Sequence, residues 1–172
     1  MRVVLLANAA SPHTQRWASA LADRGLEVHV VSIRESIIPG VQVHRVGVGA
    51  TGRKTPLRSL MSYVRLLLRS KRLITRIAPD VVNAHYSVTH GTIAVLRRLH
   101  PVVLTVWGSD VVHGNRVVHG PKRWLNRFVM RRVDAITASS GFLVAAVRSI
   151  VGERVPIHEV PFGVDTTVFQ PG

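Results

Sequence analysis

The sequence contains no cysteine, and this absence excludes disulfides, zinc–thiolate sites and thiol nucleophiles from the chemistry of the chain. Acidic residues are also scarce, nine against 23 lysines and arginines, so the formal net charge is +14. Only three of the basic residues are lysines, and arginine therefore supplies most of the positive charge. This charge favours an anionic partner, a class that includes membrane lipid, nucleic acid and phosphorylated substrates.

Aromatic residues make up only 5% of the sequence and are not interleaved with the basic residues, which disfavours a nucleic-acid partner. Long apolar runs are absent too. No segment approaches the length that spans a bilayer, and the N-terminal run at 3–7 is too short for a signal peptide. We therefore expect a cytoplasmic protein, or one bound to a membrane face. Apolar residues still constitute 47% of the 172 residues, enough for the core of one domain.

Apolar, strand-like segments alternate with amphipathic, helical segments along the whole chain. Strands are predicted at 2–7, 26–32, 41–46, 80–85, 102–107, 134–139 and 156–160, and helices at 13–25, 57–77, 89–99, 121–132 and 141–151. Continuously apolar strands separated by helices predict a Rossmann-like, doubly wound α/β domain with a parallel sheet. Ligands of such sheets bind beyond the carboxyl ends of the strands, so the strand ends should lie along one edge.

The first predicted strand is not followed by the glycine-rich fingerprint of dinucleotide-binding domains. Instead, Ser11 can cap the next helix, and His13 and Arg16 lie one helical turn apart near its start. The free N–H groups of a helix N-terminus attract anions. Taken alone, this segment is more consistent with an ordinary capped turn.

The strand predicted at 80–85 ends in His85 and Tyr86, with His90 further on. Two histidines five residues apart, without a nearby carboxylate, do not predict a metal site. His85 at a strand end suits a hydrogen bond with a sugar hydroxyl, and an ordinary core or surface histidine is an equally good interpretation.

The strand predicted at 102–107 ends in Trp-Gly-Ser-Asp. Trp107 can stack on the apolar face of a sugar ring or a lipid, and Gly108 permits a close approach of the backbone. Ser109 and Asp110 can form hydrogen bonds with hydroxyl groups. The alternative is that Ser109 and Asp110 only cap a turn.

Four motifs occur in the order found in the N-terminal half of family 4 glycosyltransferases: "NAHYS" at 83–87, "WGSDV" at 107–111, "VDAITASS" at 133–140 and "VPFGVDTTVFQP" at 160–171. The chain resembles these GT-B enzymes over nearly its whole length. Trp107 stands where the family often has histidine, and Phe162 where asparagine is usual. The resemblance implies one acceptor-side domain at 1–172, with 160–172 beginning the linker to a donor-binding domain.

This resemblance implies a retaining glycosyltransferase that moves a sugar from a nucleotide-sugar donor to a cell-surface glycan or a lipid-linked acceptor, without a cofactor or metal. The absence of a D-x-D motif is consistent with metal independence. The donor-binding domain would either follow in a longer protein or be a separate chain, so the 172 residues alone are expected to be inactive. The alternative is a noncatalytic, membrane-docking subunit of a split glycosyltransferase.

By position in these motifs, His13 and Asp110 are the candidate catalytic residues, with a substrate-orienting role favoured for Asp110. His13 and Arg16 would line the acceptor side or the donor-phosphate side of the cleft. The implied substrate-binding residues are Arg16, His85, Tyr86, Trp107, Gly108, Ser109, Ser139 and Ser140.

The segment at 56–80 has an apolar and a basic face. Its apolar residues recur at helical spacing at Leu57, Leu60, Met61, Val64, Leu67, Leu68 and Ile74, and its arginine stripe consists of Arg58, Arg65, Arg69, Arg72 and Arg76. We favour a helix whose apolar face packs on the core and whose arginines are solvated. The alternative is a surface that binds anionic lipid at the inner face of the membrane.

Overall fold

The computed structural model describes residues 1–46, 56–114 and 116–163, and of Pro56, Arg58 and Ser59 only the backbone. Most of the closing motif, at 164–171, and the side chain of Arg58 lie outside these residues. The strands are β1 (Arg2–Leu6), β2 (Glu27–Ser32), β3 (Val41–Arg45), β4 (Val81–His85), β5 (Val102–Val106), β6 (Val112–His113), β7 (Arg116–Val117), β8 (Ala135–Ala138) and β9 (Ile157–Glu159). The α-helices are α1 (Pro12–Ala22), α2 (Pro56–Ile77), α3 (Thr92–Leu96), α4 (Gly120–Met130) and α5 (Gly141–Val151).

Seven of these strands form one parallel sheet in the order β3-β2-β1-β4-β5-β8-β9. The chain winds outward from β1 to β3, then crosses back to β4 and winds the other way, so the strand order reverses between β1 and β4. A doubly wound sheet opens a crevice at this reversal, beyond the carboxyl ends of the two strands. The predicted Rossmann-like α/β class is confirmed, and the crevice lies between the ends of β1 and β4.

Two apolar clusters cover the two faces of the sheet. On one face, α1 packs against Val3 and Leu5 of β1 and Val28 and Val30 of β2. The other face carries the larger cluster, in which Val4, Leu104 and Ile136 contact residues of α2, α3, α4 and α5. Successive strand residues point to opposite faces, and both faces are buried, so the continuously apolar strands follow from the topology.

The sequence prediction is wrong about the start of the helix after β4. A π-helix at Tyr86–Gly91 precedes the short α3 there. Two side chains bond to carbonyls five residues earlier, His90 Nδ1 to the His85 oxygen at 2.8 Å and Thr92 Oγ1 to the Ser87 oxygen at 3.1 Å. These bonds favour the wider turn, which a local apolar pattern does not reveal. The antiparallel pair β6 and β7 was not predicted either.

The favoured expectation for α2 is wrong for most of its apolar residues. Its buried positions are Leu66, Ser70, Ile74 and Ile77, which step by four, four and three residues and so face the sheet. The apolar residues on the roughly opposite side of the helix are 46–66% exposed, namely Leu57, Leu60, Met61, Val64 and Leu68. A helix lying on a sheet buries one stripe, and the apolar pattern of α2 is wider than that stripe.

None of the helices in the described ranges combines the length and the apolar character needed to cross a bilayer.

Candidate functional site

Six rings cluster in the crevice at the carboxyl ends of β1, β4 and β5. Trp107 is their centre, because four of the other rings lie around it at centroid distances of 4.7 to 6.3 Å. The Phe162 ring stacks on it at 4.7 Å with an interplanar angle of 12°. The members are His13, Trp17, His85, Tyr86, Trp107 and Phe162. The structure thus brings together four predicted site residues from three strand ends, namely His13, His85, Tyr86 and Trp107.

Asp110 holds in place the backbone that carries two rings of this cluster, those of Trp107 and Tyr86. Its Oδ1 accepts hydrogen bonds from the backbone N–H groups of Trp107 and Gly108, and its Oδ2 accepts one from Ser87 N–H, all at 3.1 Å. The residue is only 1% exposed, and its own carbonyl accepts from Asn126 Nδ2 at 2.7 Å. Both carboxylate oxygens therefore face backbone, which matches the turn-capping alternative. A hydrogen bond of Asp110 with a substrate hydroxyl stays a prediction, as does its substrate-orienting role.

The environment of Asp110 acts on its pKa in two directions. Burial raises the pKa of this carboxyl above its ordinary value and is the largest effect. The backbone N–H groups that it accepts from lower the pKa and so favour the charged form. The carboxylate is thus stabilised by fixed donors of two loops, which it joins to each other.

Two residues beside Asp110 have left-handed backbone conformations. Tyr86 has φ = 68° and Gly108 has φ = 105°. A non-glycine residue in this region costs about 1–3 kcal/mol, and such residues cluster at functional sites. A Cβ at position 108 would meet nothing closer than 3.9 Å, so the backbone angle, and not a shortage of space, requires glycine there. The predicted close approach of a ligand to Gly108 stays a prediction.

A chain of polar side chains fixes His85. Asn83 Nδ2 donates to the Val103 carbonyl at 3.0 Å and to Thr105 Oγ1 at 2.9 Å, so Asn83 Oδ1 is free to accept. It accepts from His85 Nε2–H at 2.9 Å. In the neutral imidazole the remaining Nδ1 is an acceptor, and Thr14 Oγ1 lies 3.4 Å from it. The chain of contacts therefore sets both the tautomer and the orientation of the ring.

Burial makes both histidines of this region neutral. Burial, with smaller contributions from His90 and His13, lowers the pKa of His85 to about 3. Burial also lowers the pKa of His90 to about 4, although the hydrogen bond to the His85 carbonyl raises it. Neither ring carries charge near neutral pH. His85 therefore contributes hydrogen-bonding groups and packing to the crevice, and no positive charge.

Arg16 ties the chain after β9 to the helix after β1. Its Nη1 donates to the Gly163 carbonyl at 2.6 Å. Between α1 and residues 160–163 lies a groove of about 490 Å³ that is lined by Arg16, Trp17 and Phe162 among others. The groove opens beside the ring cluster, since Phe162 and Trp17 belong to both.

The serines predicted to bind substrate have different surroundings. Ser109 is exposed, and its carbonyl accepts from Lys122 Nζ at 2.7 Å. Ser140 caps α5, because its Oγ accepts from Leu143 N–H at 3.4 Å. Ser139 is half-buried. The structure thus gives Ser140 a local structural contact, and the substrate-binding roles of the serines stay predictions.

The centre of the cluster has one polar atom without a partner. The indole N–H of Trp107 is buried and makes no hydrogen bond in the described part of the chain. A buried donor without a partner is costly, and its natural partner is an acceptor oxygen of a bound molecule. In the same part of the chain, no three histidine, aspartate or glutamate side chains are grouped as metal ligands.

A family model described as glycosyl transferase 4-like matches residues 2–140. The chain belongs to this family. No protein among the curated sequences matches it.

Solved structures resemble this glycosyl transferase 4-like chain in fold. Sucrose-phosphate synthase from Thermosynechococcus elongatus is 14% identical with a TM-score of 0.77, covering 100% of this chain and 50% of that one. HepE from Anabaena, in complex with UDP-glucose, is 16% identical with a TM-score of 0.64 and coverages of 98% and 45%. UDP-GlcNAc 2-epimerase from Methanocaldococcus jannaschii is 12% identical with a TM-score of 0.59 and coverages of 93% and 45%.

The likeness to these proteins concerns the fold, because the identities are low and one of the three is an epimerase. The chain spans about half the length of each of them. Its architecture is that of the N-terminal, Rossmann-like half of a GT-B protein.

Sequence reasoning missed four residues of this site in the glycosyl transferase 4-like domain. Thr14 and Asn83 fix His85, but neither stands out by type. The parallel register pairs Asn83 with Val103 and His85 with Thr105, so the bond from Asn83 to Thr105 runs diagonally between β4 and β5. Trp17 lies on α1, and its helical spacing does not distinguish a site residue from a core residue. Phe162 carried a usable signal, since it and Trp107 are the two departures from the family pattern and they stack on each other.

The neutral, buried histidines predict that acid destabilises the domain. Between about pH 4 and 6.5 the unfolded chain protonates both residues and the folded chain does not, so the free energy of unfolding rises with pH. Each histidine should cost about 2 kcal/mol of stability between pH 7.5 and 5. Urea denaturation across this range measures the slope.

The slope of the free energy of unfolding against pH reports the number of protons that unfolding takes up, and His90→Gln should lower this number by about one. The control His113→Gln changes an exposed histidine and should keep the wild-type slope. A free energy of unfolding that stays constant between pH 7.5 and 5 would contradict the neutral assignment.

Proposed function

We propose that this chain is the acceptor-side domain of a retaining glycosyltransferase that uses a nucleotide-sugar donor and a glycan or lipid-linked acceptor. The observation that carries the proposal is the ring cluster around Trp107, placed where doubly wound sheets bind their ligands. Membership of the glycosyl transferase 4-like family supports the reaction class. HepE, a neighbour in fold, is described in complex with UDP-glucose, which supports a nucleotide sugar as donor.

The proposed roles follow from the contacts. The rings of Trp107, Tyr86 and Phe162 offer apolar faces to the C–H side of a sugar ring, and the unpaired indole N–H would donate to one of its oxygens. His13 is exposed beside Trp107 and would bond to a hydroxyl or a phosphate oxygen. Asp110 and His85 would act by positioning, because both are buried and bonded to protein groups.

The proposed reaction replaces one bond at the anomeric carbon. The bond from this carbon to the donor phosphate oxygen breaks, and the acceptor oxygen bonds to the same face of the sugar. The acceptor hydroxyl proton passes to the departing phosphate, so atoms and charge balance. Most of the catalytic gain would come from holding the two substrates in contact and from positive charge near the phosphate, to which a second, donor-binding domain would contribute.

The test is a transfer assay on the domain joined to a donor-binding domain, either as it stands in the gene beyond Gly172 or as the companion chain. We expect sugar transfer from at least one nucleotide sugar and none from the 172 residues alone. Trp107→Ala should lower kcat/KM for the acceptor by about tenfold or more, because the stacking surface is lost. Trp124→Ala removes a 69% exposed indole on α4 and is the control.

The absence of transfer from every nucleotide sugar tested, with a folded protein, would refute the proposal. Equal losses in the Trp107 and Trp124 variants would leave the transferase standing but contradict the proposed site.

A second proposal concerns membrane attachment through α2, and the exposed apolar side of this helix supports it. Leu57, Leu60 and Leu68 are 60–66% exposed in a chain whose net charge is +14. On a helical wheel, Arg65, Arg69, Arg72 and Arg76 lie between this apolar side and the buried side. Apolar side chains beside arginines are typical of helices that lie in the interface of an anionic bilayer. The partner we propose is therefore an anionic membrane surface, and it suits a lipid-linked acceptor.

Co-sedimentation with vesicles tests the attachment. The chain should bind vesicles that contain phosphatidylglycerol more strongly than neutral phosphatidylcholine vesicles, and the difference should shrink with salt. Leu60→Gln with Leu68→Gln should weaken the binding several-fold. The control, Ile37→Gln with Phe142→Gln, removes two exposed apolar residues outside α2 and should bind normally. Equal binding to neutral and anionic vesicles would end this proposal.

A further inference from the structure

Four arginines of α2 form one wall of a groove. This groove has a volume of about 400 Å³ and lies between α2 and the end of β3. Val46 and Leu73 contribute its apolar lining. Four of its arginines recur along one side of α2 at intervals of four, three and four residues, and the fifth comes from the last residue of β3. They are Arg45, Arg65, Arg69, Arg72 and Arg76.

The positive charge of the groove is almost uncompensated within the described residues. Glu35 is the one carboxylate there that pairs with a groove arginine, Arg45, at 3.4 Å, and Glu35 is itself 73% exposed. The α2 segment contains no acidic residue. The Nε atom of Arg65 is buried, and no hydrogen-bond partner for it occurs among the described residues. Guanidinium groups that line one groove repel one another, and a bound anion would offset that repulsion.

We propose that this groove is a binding site for a phosphate-bearing anion, distinct from the crevice around Trp107. The planar guanidinium group matches two phosphate oxygens at once, and clusters of arginine are the usual solution for phosphate recognition. The groove volume falls in the range of small-molecule sites and accommodates a diphosphate or a phosphorylated headgroup. Among the described residues that line it there is no aromatic ring, so these residues offer no platform for stacking nucleobases.

The anion in the groove can be the phosphate of a lipid headgroup. In that case this inference rests on the proposed membrane attachment through α2. On a helical wheel, the arginine side of α2 lies about a quarter turn from its exposed apolar side. A bilayer that receives Leu60 and Leu68 would therefore bring lipid phosphates beside the arginines. The same chemistry serves a soluble phosphate compound, and the experiment separates the two sources.

The experiment titrates the chain with pyrophosphate by calorimetry at about 0.15 M salt, where diffuse surface attraction is largely screened. We expect saturable binding. Arg69→Gln with Arg72→Gln should weaken it by about tenfold or more, because two charge-assisted contacts are lost. The control, Arg116→Gln with Arg154→Gln, removes the same charge from exposed positions outside the groove and should change the affinity by less than about twofold. Thermal melting checks that both variants fold.

Non-saturable binding by the wild-type chain, or equal losses in the two double variants, would overturn the site. A single-stranded RNA that binds the groove when pyrophosphate does not would overturn it as well. Where pyrophosphate binding is saturable, a second titration with vesicles containing phosphatidic acid shows whether the natural anion is a lipid headgroup or a soluble phosphate compound. Competition with pyrophosphate that depends on Arg69 and Arg72 indicates a lipid headgroup, and saturable pyrophosphate binding without competition indicates a soluble phosphate compound.

The same titrations separate this inference from the membrane proposal. The Leu60→Gln and Leu68→Gln variant should lose vesicle binding and keep pyrophosphate binding. If the wild-type chain binds pyrophosphate but no vesicles, the membrane proposal fails and the groove stands. If it binds anionic vesicles but not pyrophosphate, the groove fails and the membrane proposal stands.

Discussion

The site depends on one buried carboxylate. Asp110 accepts backbone N–H groups from the loop after β5 and from the π-helix after β4, and so it joins two strand ends that are distant in sequence. Three donors around one carboxylate are a strong arrangement, because hydrogen bonds to charged groups are about twice as strong as those between neutral groups. This set of bonds also holds Tyr86 and Gly108 in their left-handed conformations. The positions of the Trp107 and Tyr86 rings follow from it.

Two rings of the cluster, those of Trp107 and Phe162, stand at the positions where the chain departs from the pattern of its family. The resemblance places a histidine at position 107 in many relatives and an asparagine at position 162 in most. Here Trp107 and Phe162 stack at 4.7 Å, so the two departures form one contact. The two rings form an apolar platform with one buried donor, the indole N–H of Trp107. This platform suits an acceptor with a large apolar face, which fits the proposed lipid-linked or glycan acceptor.

The sequence predicted the sheet well because the strands near its centre, β1, β2, β4 and β5, are buried on both faces and are mostly apolar. It predicted the rim of the site from the same topology, since parallel strands end at one edge. It could not show that Asp110 points inward, because a carboxylate after a strand suits a turn cap and a ligand equally. The exposure of one apolar side of α2 could not be predicted for a related reason. Helical spacing alone does not reveal which of two apolar stripes packs on the sheet.

The most direct test of this account is amide hydrogen exchange by NMR in Asp110→Asn, which keeps the shape of the side chain and removes its charge. An asparagine has one acceptor oxygen, so it cannot hold the N–H of Ser87 and those of Trp107 and Gly108 at once. Asp134→Asn is the control, because Asp134 accepts from Val102 N–H at the start of β5. We predict that at least one of these three amides exchanges about tenfold faster or more in Asp110→Asn, and that none of them does so in Asp134→Asn. Unchanged protection of all three amides would contradict the claim that this carboxylate holds the site together.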